Sequence, residues 1–249
     1  MTGQQPVVGF DRKIELPWLD TVAAWAAAGL TDPEITAAFD ALLAGIDQGA
    51  EANRKNRTVL TALWLRHLDG QADFHAMGLD LFTRLDPAER IALHWGKCMA
   101  TYPFFAFVAQ HTGRLLRLQG DVTNNEVRRR VVAQYGDTER IRRSARHVTQ
   151  TLHDWATITL VEKGRYTPAD PVPVSTPALE SWLIEAYLHA GQGPSGGPMD
   201  ILANPVYFPF TFAPLNAAQL ERANPRLEVV QHGMSTDFIT LRQHSPRTP

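Results

Sequence analysis

Between Thr138 and Ala156 the apolar residues Ile141, Ala145, Val148, Leu152 and Trp155 recur at steps of four, three, four and three. That spacing fits an α-helix and nothing else of comparable length, because only a 3.6-residue turn brings all five side chains to one face. Asp137, following Gly136, is the expected N-cap, so the helix is predicted over Asp137 to Ala156. Its other face shows Arg142, Arg143, Arg146, Thr149, Gln150 and His153, with Arg140 in the first turn. Each of these can donate a hydrogen bond to a phosphate oxygen or to a base edge.

The neighbours of this helix limit the fold further. Thr123-Asn-Asn-Glu126 is a capping box, and Val127, Val131, Val132 and Tyr135 give the short helix behind it a core face. Arg128, Arg129 and Arg130 fall in its first turns, and Gly136 makes the link to the next helix brief. Thr157 to Val161 is rich in β-branched residues and reads as a strand. Glu162-Lys163-Gly164-Arg165 supplies a turn, and a return strand runs from Tyr166 to Pro168. Helix, helix and hairpin in that order, over roughly Leu115 to Pro168, resemble a winged helix-turn-helix.

That resemblance implies double-stranded DNA as partner. The expected contacts are Arg128, Arg129, Arg140, Arg142, Arg143, Arg146, Thr149, Gln150, Lys163 and Arg165. A second basic cluster, Arg54, Lys55 and Arg57, offers secondary phosphate contacts or a solvated face. Formal net charge is −2, yet between Arg114 and Arg165 eleven Arg and Lys face six acids, so this stretch is +5 and the remainder −7. A chain polarised in this way can turn a positive face toward a polyanion and stay soluble.

Three parts are expected: a helical bundle over 12–100, the winged helix over 101–168, and a linker, helix and small α+β extension over 169–249. Thr31-Asp-Pro-Glu34 starts one bundle helix, and Trp18, Trp25 and Trp64 lie on apolar stripes with the look of core. Tyr102-Pro103 opens the helix that leads into the central part. Pro168 to Pro177 holds four prolines and reads as a stiff connector. Pro205 to Phe212, Leu227 to Val230 and Phe238 to Leu241 look like strands. The fold class is therefore mainly α.

No catalytic pattern emerges, and neither metal nor cofactor is expected. Gly193-Pro-Ser195-Gly-Gly197 matches a nucleophile-elbow string, but it follows a helix within a Gly/Pro loop where the serine would not be held at a strand-to-helix turn. The pairs His67/His75 and His147/His153 lack further ligands, and His94 is expected to pack with a satisfied ring nitrogen. Cys98, the single cysteine, is expected as a small buried hydrophobe in a reducing, cytoplasmic setting. No apolar run is long enough to span a bilayer, and residues 1–11 lack a secretory layout.

A helical first part that passes through Ala92-Leu-His-Trp-Gly-Lys-Cys-Met-Ala-Thr-Tyr-Pro-Phe-Phe105 into a winged helix is similar, over roughly residues 20 to 166, to the BrxA-type proteins of BREX phage-defence systems. Those are small DNA-binding accessory proteins without known catalysis. The likeness implies DNA and other defence-system proteins as partners. Winged-helix proteins often dimerise, and the bundle is the surface expected to serve in a homodimer. A competing class is a protein-interaction module whose arginine row meets an acidic partner.

Overall fold

A computed structural model describes residues 9–44, 49–174, 176–191, 197–232 and 236–242. The bundle comprises α1 (Leu16–Ala27), α2 (Asp32–Leu43), α3 (Ala50–Leu60), α4 (Ala72–Arg84) and α5 (Arg90–Thr101), with a π-helical turn at Thr61–Leu65 continuing α3. Next come α6 (Pro103–Gln119), β1 (Val122–Thr123), α7 (Asn124–Tyr135), α8 (Glu139–Asp154), β2 (Ile158–Glu162) and β3 (Arg165–Pro168). The remainder holds β4 (Val172–Val174), α9 (Pro177–His189), α10 (Pro198–Leu202), β5 (Phe210–Phe212), α11 (Ala217–Ala223), β6 (Leu227–His232) and β7 (Thr236–Leu241). The fold is mainly α with a small α+β appendage. No described helix is long and apolar enough to cross a membrane.

Two helices are buried nearly all round. Every residue from Ile91 to Ala100 on α5 is buried, and so is every one from Leu179 to Tyr187 on α9. Gly96 makes their close approach possible, since a Cβ there would run into the Trp182 ring. Trp182 in turn stacks on Phe74 of α4 at 4.5 Å and donates its indole N–H to the Phe74 carbonyl. The helix after the proline-rich stretch is thus a central strut of the body. Its acids have partners: Glu180 accepts from the Ala213 N–H, and Glu185 takes both Nε and Nη2 of Arg226 at 2.8 and 2.7 Å. Burial pushes the Glu185 carboxyl up, but hydrogen bonds from Arg226, His189 and Asn224 outweigh it and hold the pKa below its ordinary value.

Four local expectations need correction. The stretch read as a stiff, extended connector also contains β4, which pairs in parallel with β5. Pro205 to Phe212 is a strand only over its last three residues, because Pro205–Tyr207 forms a 3₁₀ turn. The helix predicted from Asp137 begins one residue later in its capping: Thr138 accepts from the Ile141 N–H at 3.3 Å. The hairpin also gains β1, which makes a three-stranded antiparallel sheet in the order β1-β3-β2. Residues 193–196 of the Gly/Pro string lie outside the described residues. His94 and Cys98 are buried as expected, with Trp64 Nε1 donating to His94 Nδ1 at 3.1 Å.

Candidate nucleic-acid interface

Residues 103–168 form a helix, a short strand, two helices and a two-stranded hairpin. The Thr123 capping box is complete, with the Glu126 carboxylate accepting from the Thr123 N–H at 2.8 Å. The hydrogen bond from Gln119, then those from Thr123, holds Glu126 below the ordinary carboxylate range. Gly136 ends α7 at φ +87°, a conformation that favours glycine, and this turns the chain into α8. At the other end Thr157 N–H bonds back to the Leu152 carbonyl, and His153 Nδ1–H donates to the Ile158 carbonyl at 3.1 Å. Gly164 shapes the hairpin tip, and its carbonyl accepts from the Asn124 N–H, which fixes the wing against the start of α7.

The buried stripe of α8 is as the spacing requires: Ile141, Ala145, Val148, Leu152 and Trp155 are all covered. Trp155 lies 6.3 Å from Trp95 and 6.1 Å from Phe105, ring centre to ring centre, so α8 is packed directly on the body. Arg143, Arg146 and Gln150 are exposed on the outward face, and Arg128 is exposed on α7 beside them. Arg128, Arg142, Arg143 and Arg146 converge on a cleft of about 200 Å³ between α7 and α8, whose floor includes Thr149.

The predicted contacts separate into groups. No carboxylate stands within 4.0 Å of the charged groups of Arg128, Arg129, Arg143, Arg146 or Lys163 among the described residues. Arg140 is exposed in the first turn and is not without a partner. Arg142 is held by Asp137 at 2.8 Å and by Glu139 at 3.3 Å, so its charge is largely spoken for. Arg165 is held by Asp121 and Glu162, both at 2.6 Å, and the Asp121 hydrogen bond is the main reason its pKa is raised. Thr149 does not face outward. It is 1% exposed, and its hydroxyl donates to the Ala145 carbonyl at 3.1 Å.

The second cluster lies on α3, and each of its cations has a carboxylate partner. Arg54 and Lys55 share Glu51 at 2.9 and 3.1 Å, while Arg57 pairs with Asp40 at 3.7 Å and lies over the Phe39 ring. Sequence periodicity also gave no sign of the segment Gly9–Glu15, which lies along α8 and brings Arg12 near His147. A dibasic Arg12-Lys13 pair is visible in the sequence, but nothing local ties it to a helix 130 residues away. Among the described residues, three or more His, Cys, Asp or Glu nowhere gather so as to hold a metal ion. No family model, curated protein or solved structure matches this chain.

Proposed function

We propose that the unit formed by α6, β1, α7, α8, β2 and β3 is a winged helix-turn-helix, and that the protein is a non-catalytic binder of double-stranded DNA. The observation that carries this reading is the outward face of α8, where Arg143, Arg146 and Gln150 are exposed and neither arginine has a carboxylate partner among the described residues. Element order and the strand order β1-β3-β2 support it. So does the hidden apolar stripe, which leaves that face to solvent.

In this reading α8 lies in the major groove. Arg143 and Arg146 approach guanine edges or phosphates, and Gln150 offers paired donor and acceptor groups for adenine. Arg128 and Arg129 meet the adjoining backbone at the start of α7, and Lys163 carries the wing toward a flanking groove. Arg142 and Arg165, being committed to carboxylates, shape the surface rather than neutralise phosphate. The likeness to BrxA-type proteins extends the proposal to a cytoplasmic phage-defence assembly; a transcriptional regulator would use the same face.

Fluorescence anisotropy with a random-sequence duplex over a range of salt tests this. With three to five cations at phosphates, log affinity falls against log salt with a slope between about −3 and −5. Absence of binding at low salt overturns the reading. A protein-docking role is favoured by one observation, the 46% and 54% exposure of Leu160 and Val161 on the wing strand. Under that alternative, charging both residues abolishes a protein contact and leaves duplex affinity unchanged.

A further inference from the structure

The segment Gly9–Glu15 is fixed along one flank of α8 by three contacts. Ile14 N–H donates to Thr151 Oγ1 at 3.3 Å, Trp155 Nε1 donates to the Ile14 carbonyl at 2.8 Å, and Lys13 pairs with Asp154 at 2.9 Å. Phe10, fully buried against Tyr102 and Phe105, anchors its start. At 3.6 residues per turn, Thr151, Asp154 and Trp155 lie on one side of the helix, and Arg142, Ala145 and Thr149 on the other. Arg143, Arg146 and Gln150 point outward between these flanks. The α7 cleft is on the Thr149 side, so Gly9–Glu15 and α7 bracket α8.

Arg12 sits within this fixed segment, near enough for its charge to act on His147. Burial is the main reason the His147 pKa is lowered, and the charges of Arg146, Arg12 and Arg143 add to it, while Asp11 opposes them. Arg12 Nε and His147 Nδ1 are both buried and have no hydrogen-bond partner among the described residues. Nor does an acid within 4.0 Å neutralise Arg12 there.

A helix about 10–12 Å wide nearly fills a major groove about 12 Å wide, and the two walls of that groove are the phosphate backbones of opposite strands. Arg128 stands on the flank of α8 that would face one wall. We infer that Arg12 is a phosphate-binding residue for the other wall, so that α8 is gripped through the backbone on both of its sides. This rests on the proposed DNA binding and adds to it a contact from outside the helix-helix-hairpin unit. The ligand is a backbone phosphate, so the contact carries no sequence preference.

The test compares wild type, Arg12→Ala, Arg12→Lys and Arg128→Ala for binding a random-sequence duplex across a salt series, with thermal unfolding measured alongside. Arg12→Ala is expected to bind about three- to tenfold more weakly and to make the salt slope shallower by about one. Arg12→Lys keeps the slope, because the charge remains. Arg128→Ala behaves like Arg12→Ala, and the double variant loses about two in slope. An unchanged slope in Arg12→Ala overturns the inference, whether affinity is intact or lowered through a drop in stability, since a purely structural role does not alter the number of counterions released. If wild type binds and that slope stays, only the role of Arg12 falls. If wild type fails to bind, the underlying function falls with it.

Discussion

The two basic clusters of this chain differ less in the number of their cations than in what the fold sets opposite them. On α3, Arg54 and Lys55 meet Glu51 on the preceding turn, and Arg57 is drawn across to Asp40 on α2. On α7 and α8, Arg128, Arg143 and Arg146 pair with no acid among the described residues, although six acids lie within the same stretch of sequence. Five of those six acids are committed to other cations, although Glu139 also lines the α7–α8 cleft. Asp137 and Glu139 hold Arg142, Asp121 and Glu162 hold Arg165, and Asp154 pairs with Lys13. A cationic run becomes a candidate polyanion surface where the fold withholds counter-charge, and a count of arginines cannot see that.

The strongest way to break the comparison is to remove the unpaired cations. Arg143→Ala with Arg146→Ala is expected to weaken duplex binding about a hundredfold, with the salt slope shallower by about two and thermal stability nearly unchanged. Arg142→Ala alone should cost far less, about threefold or under, because two carboxylates already screen its charge. Equal losses at the two sites, read from anisotropy titrations, would show that carboxylate pairing does not decide which arginines serve.

Acid acts on the body through two histidines that lie away from α8, His94 and His75. His94 is completely buried, accepting from Trp64 at Nδ1 and facing Asp20 at 3.0 Å through Nε2. Burial lowers its pKa despite Asp20, and His75 is brought down to about 4 by burial, Lys97 and His67. Both histidines are neutral in the folded protein near pH 7, and the unfolded chain binds more protons than the folded one below the ordinary histidine value of 6.5. Stability is therefore full above that value and declines as pH falls through it, for His75 down to about 4, at no more than about 1.4 kcal/mol per pH unit for each histidine. Partial exposure reduces the share of His75. Guanidinium groups stay charged throughout. Urea midpoints that stay flat across this window would mean that the two rings are protonated, or open to water, in the native state.

Much of this was legible in the residues and some of it was not, for identifiable reasons. Steps of three and four placed the buried stripe of α8, and reciprocal capping residues placed the start of α7. Asp137 and Thr138 are both good caps one residue apart; in the fold Thr138 caps the helix and Asp137 pairs with Arg142. Periodicity gives the direction of a face but not the width of the arc that neighbours cover, so Thr149, at the edge of the polar face, was misplaced. β1 is two residues long and has no pattern of its own. The all-round burial of α9 was masked by Glu180 and Glu185, whose partners, Ala213 and Arg226, lie 33 and 41 residues away. The pairing of Arg54 with Glu51 was legible from i,i+3 spacing, whereas Arg165 with Asp121 spans 44 residues.

The smallest expected effect on binding comes from the cluster on α3, and it sharpens the comparison most directly. Replacing Arg54, Lys55 and Arg57 together by alanine removes three positive charges, one fewer than the convergent arginines at the α7–α8 cleft supply. If charge number governed binding, this triple variant would lose affinity almost as the α8 variants do. If pairing governs it, the loss is about twofold or less, because each of those cations already has a carboxylate partner, and at physiological salt charges fade over about 8 Å. Stability is affected differently. Arg54 and Lys55 are exposed surface pairs that add little to stability, while Arg57 also covers Phe39 at 4.9 Å and donates to Thr36, so about 1 kcal/mol is lost mostly through that one residue. A tenfold loss of duplex affinity in a triple variant that remains folded would place α3 in the interface, and the contrast between paired and unpaired arginines would no longer explain where this protein meets DNA.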